Sequence, residues 1–272
     1  STWSPLGSGV SAQARTLVAF DDGSGTALYA AGDFTTAGGI PASHVARWNG
    51  LQWLPLGNGL SHRAYALAVF DDGTGPALYA AGEFLTAEGA PLRIVRWDGA
   101  SWIPVGSGTN AIVTALAVHD DGRGPALFAG GRFTVAGGVP ARGVARWSGT
   151  AWSALGVGLD NGVFALASYD DGTGPALFAG GDFSGGIARW DGQRWEGVGG
   201  GTDDDVNALT TFGPRSSPFP AALFLGGYFG TAGGWDSQAL AKWSRTCSPP
   251  DRTPPEIELT APQQVAVTAL ST

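Results

Sequence analysis

Short apolar stretches recur along most of the chain, separated by clusters of Gly, Asp, Pro and Ser. One set runs Tyr65–Phe70, Ala77–Phe84, Arg93–Trp97 and Ser101–Val105, here denoted a, b, c and d. Their length and their Val, Phe, Tyr and Trp content are those of β-strands. Asp71-Asp72-Gly73-Thr74-Gly75-Pro76 separates a from b, and Asp98-Gly99 separates c from d. Asn-Gly and Asp-Gly steps predict two-residue hairpins, because turns with φ > 0 match the twist of the flanking strands. Asn49-Gly50, Asp98-Gly99, Ser148-Gly149 and Asp191-Gly192 hold that place in four units. No segment shows helical periodicity with caps.

The four-strand pattern is periodic. Strand b begins at Ala27, Ala77, Ala126, Ala176 and Ala222, at spacings of 50, 49, 50 and 46 residues. Trp48, Trp97, Trp147, Trp190 and Trp243 keep the same beat on strand c, and Trp3, Trp53, Trp102, Trp152 and Trp195 keep it on strand d. Four strands per repeat of this length is the pattern of a β-propeller; β-solenoid repeats are shorter. The fifth unit has a (Val206–Phe212), b (Ala222–Phe229) and c (Ala239–Trp243), and then no Trp-bearing d strand. Thr2-Trp-Ser-Pro-Leu-Gly7 matches Gln52-Trp-Leu-Pro-Leu-Gly57. The expectation is an all-β, five-bladed propeller over residues 1–245, its ring closed by the N-terminal strand joining the last blade.

The pattern Trp-x-Pro-Leu-Gly, then Ala-Leu-Ala-Val-Phe-Asp-Asp-Gly, Ala-Leu-Tyr-Ala-Ala-Gly-Glu-Phe and Val-Arg-Trp-Asp-Gly, resembles kelch-type propellers. It is more similar still to propeller repeats of secreted bacterial proteins and of the fungal cortical polarity-marker family, over about nine tenths of the chain. The resemblance implies a secreted or cell-surface propeller that serves as an interaction surface for varied ligands.

Composition narrows the function classes. Glycine supplies 45 of 272 residues, against a usual share of about 7%. The 11 Trp, 13 Phe and 5 Tyr argue against disorder, since disordered chains are poor in aromatics. Collagen is excluded because Gly does not fall at every third residue. A net charge of −8 disfavours a nucleic-acid-binding surface, and no apolar run approaches the roughly 20 residues of a transmembrane helix. Cys247 has no second cysteine to pair with, and the chain starts at Ser1 without a methionine, which reads as processed or excised. The one lysine, Lys242, stands beside 14 arginines.

Most repeated polar residues read as structural. Gly32, Gly82, Gly131, Gly181 and Gly227 end the b strands, where a side chain would clash. The Trp pairs flanking each hairpin read as core between blades. Arg47, Arg96, Arg146 and Arg189, with Lys242, precede the c-strand Trp, and Asp33, Glu83 and Asp182 precede the b-strand Phe, which predicts cross-strand ion pairs in blades 1, 2 and 4. The Asp21-Asp22, Asp71-Asp72, Asp120-Asp121 and Asp170-Asp171 turns read first as Asp-Gly turn chemistry and second as a calcium site. No other cofactor is expected: His44, His62 and His119 lack zinc spacing, and there is no nucleophile elbow or phosphate loop.

Departures from the repeat locate a candidate ligand site. Asp160, Asp203, Asp204 and Asp205 lie where the chain enters strand a of blades 4 and 5, and Trp235 breaks both Trp series in the last b–c loop. Blade 4 also has a shortened b–c loop. The expected site is the face formed by the d–a and b–c loops near blades 4 and 5. The leading expectation is a non-catalytic binding or structural module of an extracellular assembly, with a protein or glycan partner. The alternatives are a lectin, and a glycosidase using the acids of blades 4 and 5.

The remaining residues differ in kind. Residues 246–255 read as a Pro-rich linker and 256–272 as a β-strand tail, or the truncated start of an immunoglobulin-like domain, which the Asp-Arg-Thr-Pro-Pro-Glu-Ile opening resembles. The tail is expected to pack on its own propeller, with strand donation to a neighbour, and thus self-assembly, as the alternative.

Overall fold

The computed structural model describes residues 2–85, 92–212 and 222–244. All their regular elements are strands, grouped in five successive blade sheets and three two-stranded ribbons in the b–c loops of blades 1, 3 and 5. Blade 1 comprises a (Ala14–Asp21), b (Thr26–Gly32), c (Val45–Trp48) and d (Trp53–Pro55). Blade 2 comprises Ala64–Asp71, Pro76–Gly82, Ile94–Trp97 and Trp102–Pro104. Blade 3 comprises Val113–Asp120, Pro125–Gly131, Val144–Trp147 and Trp152–Ala154. Blade 4 comprises Val163–Asp170, Pro175–Gly181, Ile187–Trp190 and Trp195–Gly197. Blade 5 comprises a (Val206–Phe212), b (Ala222–Gly227) and c (Leu240–Trp243). Strands are antiparallel within each sheet in the order a-b-c-d, and each a strand packs beside the next blade's a strand. This is a five-bladed β-propeller, as the sequence period predicts.

One glycine per blade shows why this sequence takes this fold. Strand a carries a register shift near its start in every blade, at Ala14/Thr16, Ala64/Ala66, Val113/Ala115, Val163/Ala165 and Val206/Ala208. Such a bulge bends the strand and increases its twist. It brings the backbone before strand a onto the end of strand b. A Cβ on Gly131 would collide with the Ile112 carbonyl oxygen, and the other b-strand ends meet the same backbone obstacle.

Alternate side chains of each blade face opposite neighbours. Phe20, Tyr29, Ala31 and Val45 of blade 1 pack against Leu67, Leu78, Ala80 and Val95 of blade 2. The same interleaving joins blades 2 and 3, 3 and 4, and 4 and 5. The c–d Trp pairs of blades 2, 3 and 4 belong to this core, while Trp48 and Trp53 pack in a cluster within blade 1. Trp48 and Trp53 are cross-strand partners with ring centroids 5.5 Å apart, and the pairs in blades 2, 3 and 4 lie at 5.2, 5.3 and 5.5 Å. Trp152 Nε1 donates to the carbonyl of Val105, which follows strand d of the preceding blade, at 3.1 Å.

Three local expectations are corrected. The Asn-Gly steps are the first half of four-residue loops, since Trp48 pairs with Trp53; Asn49 Oδ1 accepts the N–H groups of Leu51 and Gln52, which widens the turn. The c-strand arginines do not pair with Asp33, Glu83 and Asp182. Strand register sets Arg47 opposite Tyr29, so its guanidinium reaches Asp22 of the a–b turn at 3.5 Å, as Arg96 reaches Asp72 at 3.3 Å and Arg189 reaches Asp171 at 3.1 Å. The third correction concerns the seam. Thr2–Pro5 forms no strand, Trp3 is fully exposed, and the blade 5 sheet has three strands among the described residues. Leu6 docks on blade 1 as Val105 docks on blade 3, its carbonyl accepting Trp53 Nε1–H at 2.9 Å. Blades 1 and 5 do not pack together as successive blades do.

No helix of the described residues is long and apolar enough to cross a membrane. Cys247, the Pro-rich linker and the tail lie outside the described residues, so the expectations for them are not addressed by the fold.

Candidate functional site

The Asp-Asp-Gly turns are built as turns. Asp71 Oδ1 accepts the N–H groups of Gly73 and Gly75, each from 2.9 to 3.0 Å. Asp72 accepts Thr74 Oγ1–H and Tyr79 O–H, and faces Arg96. Burial alone would raise the Asp72 carboxyl, but the hydrogen bonds from Thr74 and Tyr79 and the Arg96 charge outweigh it and hold the group below the usual carboxylate range. Asp22 is held low in the same way by Ser24, Tyr29 and Arg47, and Asp121 by its hydrogen bond to Arg123 and the charges of Arg123 and Arg146, again against burial. Among the described residues no cluster of His, Cys, Asp or Glu could hold a metal ion. Each turn is thereby tied to strand c of its own blade, and its carboxylates are occupied by the protein.

The entry to strand a explains two of the five sequence candidates. Asp203 Oδ1 accepts the N–H groups of Gly230 and Thr231 at 2.9 and 2.8 Å, and Asp160 Oδ1 accepts Ser184 N–H at 3.0 Å. The equivalent positions do the same work with other oxygens. Ser11 Oγ accepts from Thr35 and Thr36, Ser61 Oγ from Leu85, and Asn110 Oδ1 from Thr134 and Val135. A short acceptor side chain here pins the d–a loop to the b–c loop of every blade. The backbone donors hold Asp203 below the usual carboxylate range. Comparison of Ser11, Ser61, Asn110, Asp160 and Asp203 by repeat position carries this signal in the sequence.

Asp204 and Asp205 do not join them in one site. Asp204 Oδ1 accepts the N–H of Asp205 at 2.8 Å and is exposed. Asp205 is raised, first by partial burial and then by the charges of Asp182 and Asp204. Asp182 in turn accepts Arg132 Nη2–H across the blade 3–4 boundary at 2.6 Å, and that guanidinium lies 5.1 Å from the Phe164 ring centre. A second such group bridges blades 1 and 2, where Arg15 binds Asp33 at 2.6 Å and stacks 5.2 Å from the Tyr65 ring centre, while Tyr65 O–H donates to Glu83. These ion pairs at the strand a entrances were absent from the sequence reading, because their partners lie one strand or one whole blade apart.

Trp235 stands apart from the acids. It is 56% exposed, on the two-residue strand Trp235–Asp236 of the last b–c loop, and it lines a cavity of about 210 Å³. Gly199, Thr202, Gly233, Lys242 and Trp243 are among its other walls. The surface is apolar and glycine-lined, with one cation at its rim. Of the residues singled out in the sequence, Trp235 and Lys242 converge here; Asp160, Asp204 and Asp205 do not line it, and Asp203 anchors the loop from Gly230 that leads to it.

No protein-family model matches the chain, and no curated protein matches it. Among solved structures, the computationally designed Ika8 protein is similar at 17% identity and a TM-score of 0.42, over 87% of this chain and 73% of that one.

Proposed function

We propose that this chain is a non-catalytic propeller that binds a partner or builds an assembly, and that it works outside the cell. The observation that carries the reading is the division of labour in blades 4 and 5. Asp160 and Asp203 serve as loop caps, while the cavity beside the exposed Trp235 offers apolar walls and a single cation. Such a surface suits burial of a protein side chain more than acid–base chemistry, which needs two carboxylates at a fixed separation. The extracellular setting rests on the resemblance to secreted propeller repeats.

A lectin is the second reading, favoured by an exposed Trp beside Thr202 and Lys242. A glycan array with the full chain tests it. Specific binding that Trp235→Ala abolishes moves the reading to lectin; an empty array together with capture of a protein partner supports the module. Turnover of arabinan-like or fructan-like polymers, lost in Asp204→Asn or Asp205→Asn, would overturn both in favour of the glycosidase.

A further inference from the structure

The cavity on blade 5 occupies a position that a Trp side chain fills elsewhere. In blade 1 a Cβ on Gly38 would lie 3.1 Å from Trp53 Cβ, so the d-strand Trp is seated on that glycine, and Gly106 and Trp147 close around Trp152 in blade 3. The blade 5 equivalents are Gly233, Gly199 and Trp243, and these line the cavity. Strand c of blade 5 is bonded to strand b on one side, while in blades 1–4 its other edge takes strand d. At the opposite end of the molecule, Thr2-Trp-Ser-Pro-Leu-Gly7 has the sequence of a d strand, with Trp3 fully exposed. Among the described residues no d strand pairs with strand c of blade 5, and Thr2–Gly7 carries the sequence of one.

The faces of the two end blades match in the same way. Leu240 of blade 5 is 47% exposed, while its counterparts Val45, Ile94, Val144 and Ile187 are buried against the next blade. Phe212 is 68% exposed where Phe20, Phe70 and Tyr169 are buried. On blade 1, Leu17 is 60% exposed where Leu67 of blade 2 is buried against its predecessor. Blade 5 therefore presents the face that seeks a following blade, and blade 1 the face that seeks a preceding one. These are complementary surfaces, not copies of one patch, so their contact is head-to-tail.

We infer that blade 5 of one molecule docks on blade 1 of a second copy of this chain, whose N-terminal strand completes the blade 5 sheet. This rests on the binding-module reading and names its partner. Register follows from Trp48↔Trp53, Arg47↔Leu54 and Ala46↔Pro55. Trp243 pairs with Trp3, Lys242 with Ser4 and Ala241 with Pro5 of the second molecule, and Trp3 enters the cavity that Gly199, Gly233 and Trp243 line. Strand addition satisfies, by main-chain hydrogen bonds, the edge of strand c left unpaired among the described residues, and the cavity selects the Trp. A second copy is favoured over zipping within one chain because blades 1 and 5 do not pack together. Closing that gap internally would shift all four blade–blade cores, and packed cores resist such deformation.

Sedimentation velocity of the full chain across a wide dilution series is the test. The expected result is a mass of at least twice the monomer at high concentration, falling toward monomer on dilution. Trp3→Ala and Leu240→Lys change exposed residues and leave the fold intact; each alone returns a monomer. Mixing the two variants restores a heterodimer, since one keeps the receiving edge and the other keeps the donor strand. A monomer at every concentration overturns the inference, whether Trp3 emission reports burial, as closure within one chain requires, or exposure. Assembly that survives Trp3→Ala also overturns it. Failure of the binding-module reading is a different result: polymer turnover by the assembled protein would sink that reading and leave the head-to-tail contact standing.

Discussion

Blades 3 and 5 are built from closely similar repeats, yet their matching positions meet different surroundings. Phe128 is fully buried and Phe224 is half-buried; Val144 is fully buried and Leu240 is 47% exposed; Arg146 is buried and Lys242 is exposed. The residue types scarcely differ, so local sequence does not cause the contrast. A blade's core is made by its neighbours. Each sheet contributes one layer of side chains to each side, and a layer becomes interior only when the next blade covers it. Blade 3 has two covering neighbours, and blade 5 has one.

That contrast is sharpest for large aromatic side chains. Phe128→Ala is expected to destabilise the protein by about 4 kcal/mol, as removal of a buried Phe usually does, whereas Phe224→Ala is expected to cost about 2 kcal/mol or less in dilute solution. Urea unfolding of the two variants checks this, and equal losses would break the comparison. The rim arginines extend it to charge. Arg146 is buried beside Asp121, whose side chain is 1% exposed and also binds Arg123, so Arg146→Ala removes one of two cations from a buried carboxylate and is expected to cost about 2 kcal/mol. Lys242→Ala, at the same repeat position, is expected to stay within about 0.5 kcal/mol, as for ordinary surface changes. A Lys242→Ala loss as large as that of Arg146→Ala would show that blade 5 is covered after all.

A smaller effect separates the blades by pH. Asp22, Asp72 and Asp121 of blades 1 to 3 are held below the usual carboxylate range in the folded state. The unfolded chain therefore takes up protons first as pH falls below its carboxylate pKa of about 3.9. Their stabilisation is complete above that pH and is lost as pH drops through the lower folded values. The thermal midpoint is expected to fall below about pH 4, and Asp72→Asn is expected to flatten that fall. An unchanged slope in the variant would remove this turn from the account.

The propeller was legible because the repeat is written in residues that act locally. Trp on strands c and d, Gly131 and its equivalents at the end of strand b, and the Asp-Asp-Gly turns each report a constraint inside one blade. The ion pairs were misassigned for a related reason: Asp33 and Arg47 are close in the repeat, but pleat and register send Arg47 to Asp22 and leave Asp33 to Arg15. The candidate site was legible only in part. Trp235 broke the repeat and does line a cavity, whereas Asp160 and Asp203 looked special by charge and prove equivalent to Ser11 and Asn110 by geometry. The seam is legible as a Trp-bearing repeat unit missing after Trp243 and matched at Thr2–Gly7, but among the described residues the two segments are not paired.

The central claim is that the outer edge of blade 5 is half of an interface. Hydrogen exchange of Leu240–Trp243, compared with Ile187–Trp190 of blade 4 across a range of protein concentrations, tests it most directly. The account predicts fast exchange of the blade 5 strand in dilute solution and slowing toward the blade 4 rate as concentration rises. Equal, concentration-independent protection of the two strands would contradict it.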